Sequence, residues 1–376
     1  MKPIYLDYNA TTPIDPEVAE AMRPCLDEVF GNPSSTHGYG LRAREVVEAA
    51  RKQVAALLNG RAEEVIFTSG GTESNNHAIK GVAFANRARG NHIITSAVEH
   101  PAVTEVCLYL EGHGFRVTHI PVDGRGLVDM KALEKTVTGE TILITVMHSN
   151  NEVGTIQPIG EIAALIRGRG ITLHTDAAQS AGKVTVDVQS LGVDLLSLAG
   201  HKLYAPKGIG ALYIREGTRL EKFMHGAGHE RNLRAGTENV LEIAGLGKAC
   251  EVAKRDLEKN MIRMGETRDR LYEGLRKRLD VRLNGHPEKR LPNTLSVGFR
   301  NIDAGILLGE MMDLAASAGA ACHGASVEIS KVLKAMAVPM AYARGTVRFS
   351  TGKSTSIEEI DRAVEIVDST VKRLKT

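Results

Sequence analysis

The sequence predicts an α/β protein. A large domain on a mostly parallel seven-stranded sheet flanked by helices precedes a smaller α+β domain. Three observations predict it. Seven apolar, strand-length runs lie between residues 64 and 214, mostly separated by helical patterns. After residue 240 the apolar spacing becomes that of long helices. The 376 residues suffice for two domains at roughly 100–200 residues each.

Each element has its own signal. Residues 64–68, 91–96, 115–121, 141–147, 171–176, 193–199 and 209–214 read as strands, with helices expected at 73–86, 103–112, 131–136 and 159–169. From 240 to 279, apolar positions recur at helical spacing through Ile243, Leu246, Ala249, Val252, Ala253, Leu257, Met261, Met264, Leu271 and Leu275. That run is too long for one ordinary helix, and Gly265 is the expected break. Residues 291–299 and 346–351 read as strands of the second domain. The terminal amphipathic helix, 357–374, has Ser356 as N-cap and Glu359 as its capping-box partner.

Composition narrows the function. The chain is 43% hydrophobic and 24% charged, with a formal net charge of +2. That balance gives no case for a nucleic-acid partner. Met1 to Ala10 has no apolar signal core and no apolar run has membrane length, so a cytoplasmic protein is expected. The four cysteines form no CxxC pair, so neither a zinc site nor a disulfide framework is expected. Cys25, Cys107 and Cys250 read as small buried hydrophobes.

The chemistry begins with Asp176, which ends one strand-like run, and Lys202, which follows the next. Neighbouring strands would bring both to one edge of a sheet. Pyridoxal phosphate (PLP) needs that pair: an amine for its Schiff base, and a carboxylate to keep its pyridinium nitrogen protonated. Ser69-Gly70-Gly71-Thr72-Glu73-Ser74 joins a strand to a helix and offers free N–H groups to a phosphate. Taken alone this is an ordinary glycine turn before a helix, Asp176 a loop cap and Lys202 a surface charge. Taken in order, one cofactor explains all three. His100, just after a strand and before Pro101, is placed to stack on a planar ring and move protons, or is a loop histidine with no role.

Further motifs extend the pattern: Tyr5-Leu6-Asp7-Tyr8-Asn9-Ala10-Thr11-Thr12-Pro13, Gly31-Asn32-Pro33-Ser34-Ser35, Asn150-Asn151-Glu152-Val153-Gly154, Asp176-Ala177-Ala178-Gln179-Ser180, Gly200-His201-Lys202, Arg234-Ala235-Gly236-Thr237-Glu238-Asn239 and Gly319-Ala320-Ala321-Cys322. In this ordered set the chain resembles the cysteine desulfurases of the NifS/IscS type, within the class-V aminotransferase-like, fold-type I PLP enzymes. The resemblance implies a PLP-binding domain over 16–257. It implies a small domain made of 1–15 and 258–376 that carries the cysteine loop. It assigns Lys202 to the Schiff base and the Cα proton, Asp176 to the pyridinium nitrogen and His100 to ring stacking and acid–base steps. Asn151 and Gln179 would hydrogen-bond the cofactor, Gln179 at the phenolic oxygen. Gly71, Thr72 and His201 would hold its phosphate. Thr237 would reach the partner's phosphate in a homodimer. Arg348, assisted by Asn32, would clamp the substrate carboxylate. Cys322, as thiolate, would take the sulfur from L-cysteine as a persulfide and pass it to an acceptor such as an iron–sulfur scaffold or a thiolation protein, alanine being the other product.

Three departures from the family pattern stand out. Ala199 replaces a usual serine that binds phosphate, so weaker cofactor retention is expected. Ala320-Ala321-Cys322-His323 is similar to the selenocysteine lyases, which makes L-selenocysteine the alternative substrate. The sequence ends at Thr376, soon after the last helix, so scaffold docking through a longer tail is not expected. An ordinary aminotransferase would use Lys202 and Asp176 but not Cys322, and a non-catalytic relative would need neither. His225 and His229 flank glycines that disfavour a helix, so no metal site is read there. His174 reads as a strand residue packed in the sheet.

Overall fold

A computed structural model describes residues 3–318, 322–323, 326–327 and 329–375, without the side chains of 322–323 and 326–327. The seven expected strands form one sheet: β1 (Val65–Thr68), β2 (His92–Ser96), β3 (Arg116–Ile120), β4 (Thr141–Thr145), β5 (Thr172–Asp176), β6 (Leu195–Ala199) and β7 (Gly210–Ile214). Their spatial order is β1-β7-β6-β5-β4-β2-β3. Both pairings of β7 are antiparallel, and the other four are parallel.

Both faces of the sheet are buried, and the alternation of side chains distributes them. Ile93 and Leu195 pack on one face with Ile79 and Val82 of α2 (Gly71–Ala85) and Val103 and Val106 of α3 (Pro101–Glu111). Their neighbours Ile94 and Leu196 pack on the other face. There they meet Val47 and Val54 of α1 (Gly38–Leu58), Ile162 of α4 (Ile159–Ile166) and Ile243 and Leu246 of α5 (Val240–Arg255). The sequence reading missed α1, although Ala43, Val47, Ala50, Val54 and Leu58 recur every three or four residues.

A second core lies under a four-stranded antiparallel sheet of β8 (Val281–Asn284), β9 (Thr294–Phe299), β10 (Ser317–Ala318) and β11 (Thr346–Ser350), in the order β10-β11-β9-β8. Leu271 and Leu275 of α6 (Leu257–Arg276) and Val364 and Val367 of α7 (Ile357–Lys375) fill it, together with Ile4 and Leu6 from the N-terminus. The break between α5 and α6 falls at Asp256 (φ −104°, ψ 10°), not at Gly265. Gly265 lies inside α6, flanked by buried Met264 and Thr267. A helical glycine costs only about 1 kcal/mol, which the packing of α6 on α7 offsets. The capping box of α7 forms as expected: Ser356 N–H donates to Glu359 Oε2 at 2.9 Å, and Glu359 N–H to Ser356 Oγ at 3.2 Å.

Candidate active site

A cavity of about 390 Å³ opens where the carboxyl ends of β5 and β6 meet the N-terminus of α2 and strand β11. Clefts at the carboxyl ends of strands in a largely parallel sheet are the usual place for a ligand. Of the residues expected at the site, Gly71, Thr72, His100, Asn151, Asp176, Gln179, His201, Lys202 and Arg348 all line this one cavity.

Asp176 is the last residue of β5 and sits opposite Ser197 of β6. Its carboxylate is already oriented. Asn75 Nδ2 donates to Oδ2 at 2.7 Å, and Ala178 N–H to Oδ1 at 2.9 Å. Asn75 was not singled out by the sequence reading, although it lies one turn after Gly71 on the same face of α2. Its Oδ1 is buried without a partner.

Lys202 follows β6 on a single helical turn. Its Nζ donates to the carbonyls of Asn9 and Ala10 at 2.6 and 2.7 Å. Burial, and after it the Arg348 guanidinium, lower its pKa to about 8, so a reactive free amine is accessible near neutral pH. His201 is pushed down to about 4, chiefly by burial and then by Lys202. It therefore presents a neutral ring, with Nδ1 3.2 Å from Thr11 Oγ1.

His100 caps α3: its Nδ1 accepts the Ala102 N–H at 3.1 Å. That bond leaves the neutral ring's proton on Nε2. Desolvation, with a smaller contribution from Lys202, lowers its pKa despite the opposing charge of Asp176. The preceding Glu99 anchors the same turn. Its carboxyl accepts from Ser96 Oγ at 2.5 Å and from Met147 N–H at 3.0 Å, and burial pushes its pKa up to about 8.

At the opposite wall, Arg348 Nη2 pairs with Asp7 Oδ1 at 2.8 Å, and Nη1 donates to the Asn151 carbonyl at 3.0 Å. Its Nε is buried without a partner. Asp7 also accepts from Ser317 Oγ at 2.8 Å. Ser317 lies opposite Arg348 in the β10–β11 register.

These residues fit the expected cofactor. The α2 N-terminus has no side-chain cap, so its first N–H groups are free for a phosphate. Gly70 takes φ +148°, a glycine conformation. A Cβ on Gly71 would stand 3.2 Å from the Ala199 Cβ, so its bare face widens the cavity where Ala199 supplies no hydroxyl.

Two expected residues lie elsewhere. Asn32 is exposed and off the cavity, its Oδ1 accepting the Ser34 N–H at 2.9 Å. Thr237 is exposed and borders a separate cavity of about 220 Å³ with Glu230 and Arg234. The Cys322 backbone pairs with Val327 in a two-residue strand, but its side chain lies outside the described residues. Cys107 and Cys250 are buried, which raises both thiol pKa values, that of Cys107 to about 12. His174 packs in the sheet between Thr145 Oγ1 at 2.8 Å and Ser197 Oγ at 3.0 Å.

Comparison with known proteins points the same way. The class-V aminotransferase family profile matches residues 4–363. A cysteine desulfurase IscS of Dictyoglomus turgidum is 48% identical, over 99% of this chain and 95% of its own length. A solved NifS-like protein superposes with a TM-score of 0.93 at 38% identity, covering 99% of this chain and 100% of its own. SspA, solved in complex with cysteine, has a TM-score of 0.83 at 36% identity, covering 94% of this chain and 99% of its own.

Proposed function

The chain belongs to the class-V aminotransferase family, among the cysteine desulfurases of the NifS/IscS type, and from that premise we propose that it converts L-cysteine to L-alanine and leaves the sulfur on Cys322 as a persulfide. The observation that carries the reading is the cavity itself. One cleft joins a strand-end carboxylate, a lysine of lowered pKa, an uncapped helix N-terminus and an arginine with an unpartnered Nε.

Bound in this cleft, PLP supplies an electron sink for the pair left when the substrate's Cα–H bond breaks. Asp176 holds the ring nitrogen protonated, itself fixed by Asn75 and Ala178. Thr72, His201 and the α2 N-terminus hold the phosphate. Arg348 takes the substrate carboxylate, which orients the Cα–H bond toward Lys202. Lys202 Nζ removes that proton. The Cys322 thiolate attacks the substrate sulfur, the Cβ–S bond breaks, and its electron pair stays with the carbon fragment. That fragment takes up protons and leaves as alanine. His100, with its proton on Nε2, is the nearby donor for these transfers.

The rest of the reading follows from the same premise. Thr237, away from its own cavity, would serve a partner's phosphate in a homodimer, and Asn32 would assist Arg348 at the substrate carboxylate. The persulfide passes to an acceptor protein, either an iron–sulfur scaffold or a thiolation protein. Among the described residues no helix is long and apolar enough to cross a membrane, and the proposed compartment is the cytoplasm. Ala199 and the Ala-Ala-Cys-His segment support a second reading, a selenocysteine lyase. Paired rates on L-cysteine and L-selenocysteine, for wild type and Cys322→Ser, separate the two. The desulfurase is expected to lose alanine formation from cysteine in the variant. Undiminished formation would overturn the sulfur-transfer reading, and a wild type nearly inert on cysteine would favour the lyase.

A further inference from the structure

Lys183 is a buried amine that the proposed chemistry does not use. It is 4% exposed, four residues after Gln179 in the turn that follows β5. Its Nζ donates to Gln179 Oε1 at 3.0 Å and lies 3.5 Å from Asn9 Oδ1. Both acceptors are amide oxygens. Burial, and after it the cationic Lys202 and Arg348, hold its pKa well below the ordinary lysine range. A desolvated amine without an acid partner is unfavourable where an apolar chain would fill the same volume. What the position retains is an N–H donor aimed at Gln179.

The Gln179 amide is thereby oriented. Its Oε1 faces Lys183, and one Nε2 hydrogen goes to the Asn9 carbonyl at 3.0 Å. Turned over, the amide would set Oε1 against that carbonyl oxygen. Asn9 is pinned in turn, its Nδ2 donating to Thr294 Oγ1 at 2.8 Å and its Oδ1 accepting from Asn293 Nδ2 at 2.9 Å. The second Nε2 hydrogen is left for the cavity that Gln179 lines.

We infer that Lys183 is a positioning residue: by donating to Gln179 Oε1 it holds the Gln179 amide with an N–H toward the cavity, where it meets the phenolic oxygen of bound PLP as an anion. The inference rests on the reading of this cavity as a PLP site. A donor fixed at that oxygen favours its ionised form, so the bound cofactor's visible absorbance should titrate at lower pH than without it.

The test is that titration, recorded on the holoenzyme without substrate, in a double-mutant cycle. The other titratable groups on the cavity (Asp176, His100, His201, Lys202 and Arg348) are unchanged throughout. Gln179→Ala is expected to raise the midpoint by about one pH unit. Lys183→Met is expected to raise it by a similar amount, and to add nothing in the Gln179→Ala background. Lys183→Gln, which keeps an N–H donor without the charge, is expected to lie closer to wild type than Lys183→Met. Lys183→Leu replaces the methionine variant if that one does not fold. A silent Lys183→Met, or a shift that persists undiminished in Gln179→Ala, overturns the inference while Gln179 keeps its place. A silent Gln179→Ala overturns the placement of Gln179 and the inference with it. A protein that takes up no PLP overturns the reading of the cavity.

Discussion

The two ends of the cavity are built differently. At the proposed ring end, the side chains that line the cavity are held by hydrogen bonds to neighbouring amide, amine and backbone groups. Asn75 and Ala178 fix Asp176, Lys183 and Asn9 fix Gln179, and Ala102 fixes His100. At the substrate end, Arg348 is already paired with a carboxylate of its own chain, Asp7. The first is a preorganised socket, where the reorganisation was completed on folding. The second would be an exchange site, where a substrate carboxylate would meet an arginine already paired with Asp7. A resident cofactor suits the socket, and a substrate that enters and leaves every turnover suits the exchange.

This contrast can be broken or sharpened by measurement. The largest effect is expected for Arg348→Ala, which would remove the two charge-assisted bonds proposed to the substrate: a loss of about 10²–10⁴-fold in kcat/KM, with PLP content unchanged. Loss of PLP as well would erase the distinction between the ends.

Next comes Glu99, which anchors the ring end. Its folded pKa of about 8 lies above the ordinary carboxylate value, so the folded state binds the extra proton. Its contribution is therefore present in full below the unfolded pKa and is lost as pH rises toward and through 8. Between pH 6 and 8 that loss is about 2 kcal/mol. Glu99→Gln keeps both accepting contacts on Oε1 and should flatten this part of the profile, as read by denaturant unfolding at each pH. An unchanged slope would mean that Glu99 is ionised in the fold.

Ala199→Ser should sharpen the ring end further. A hydroxyl beside the open face of Gly71 is expected to slow PLP release up to about tenfold, followed by absorbance during dialysis against a carbonyl trap. The smallest effect is expected at the exchange site. Asp7→Asn keeps the shape of the Arg348 partner and removes its competing charge, so KM for cysteine should fall about two- to fivefold. A rise in KM would make Asp7 an orienting partner instead.

The strands and the terminal helix were legible because their signals are local: period-two or continuous apolar runs, and a capping box within four residues. The missed α1 and the misplaced break at Gly265 show the limit of that reading. Helix α1 carries part of its signal on alanines, which register weakly as apolar, and the α5–α6 break depends on which stretch packs against α7. At the site, Asp176, Lys202 and the Gly70-Gly71-Thr72 turn were readable because a strand end and a helix start are themselves local events.

The sequence by itself determined the alternation of strands and helices, the family and the cofactor. Each of these is written in residue type and order. The tertiary structure decided what those residues touch. It brought Asp7 and Asn9 from the N-terminus to Arg348, Lys202 and Lys183. It set Asn75 on Asp176, and it buried Lys183 behind Gln179. Most of these contacts join residues 100 to 350 positions apart, where no local period or spacing carries a signal. Only the tertiary packing brings them within hydrogen-bond reach.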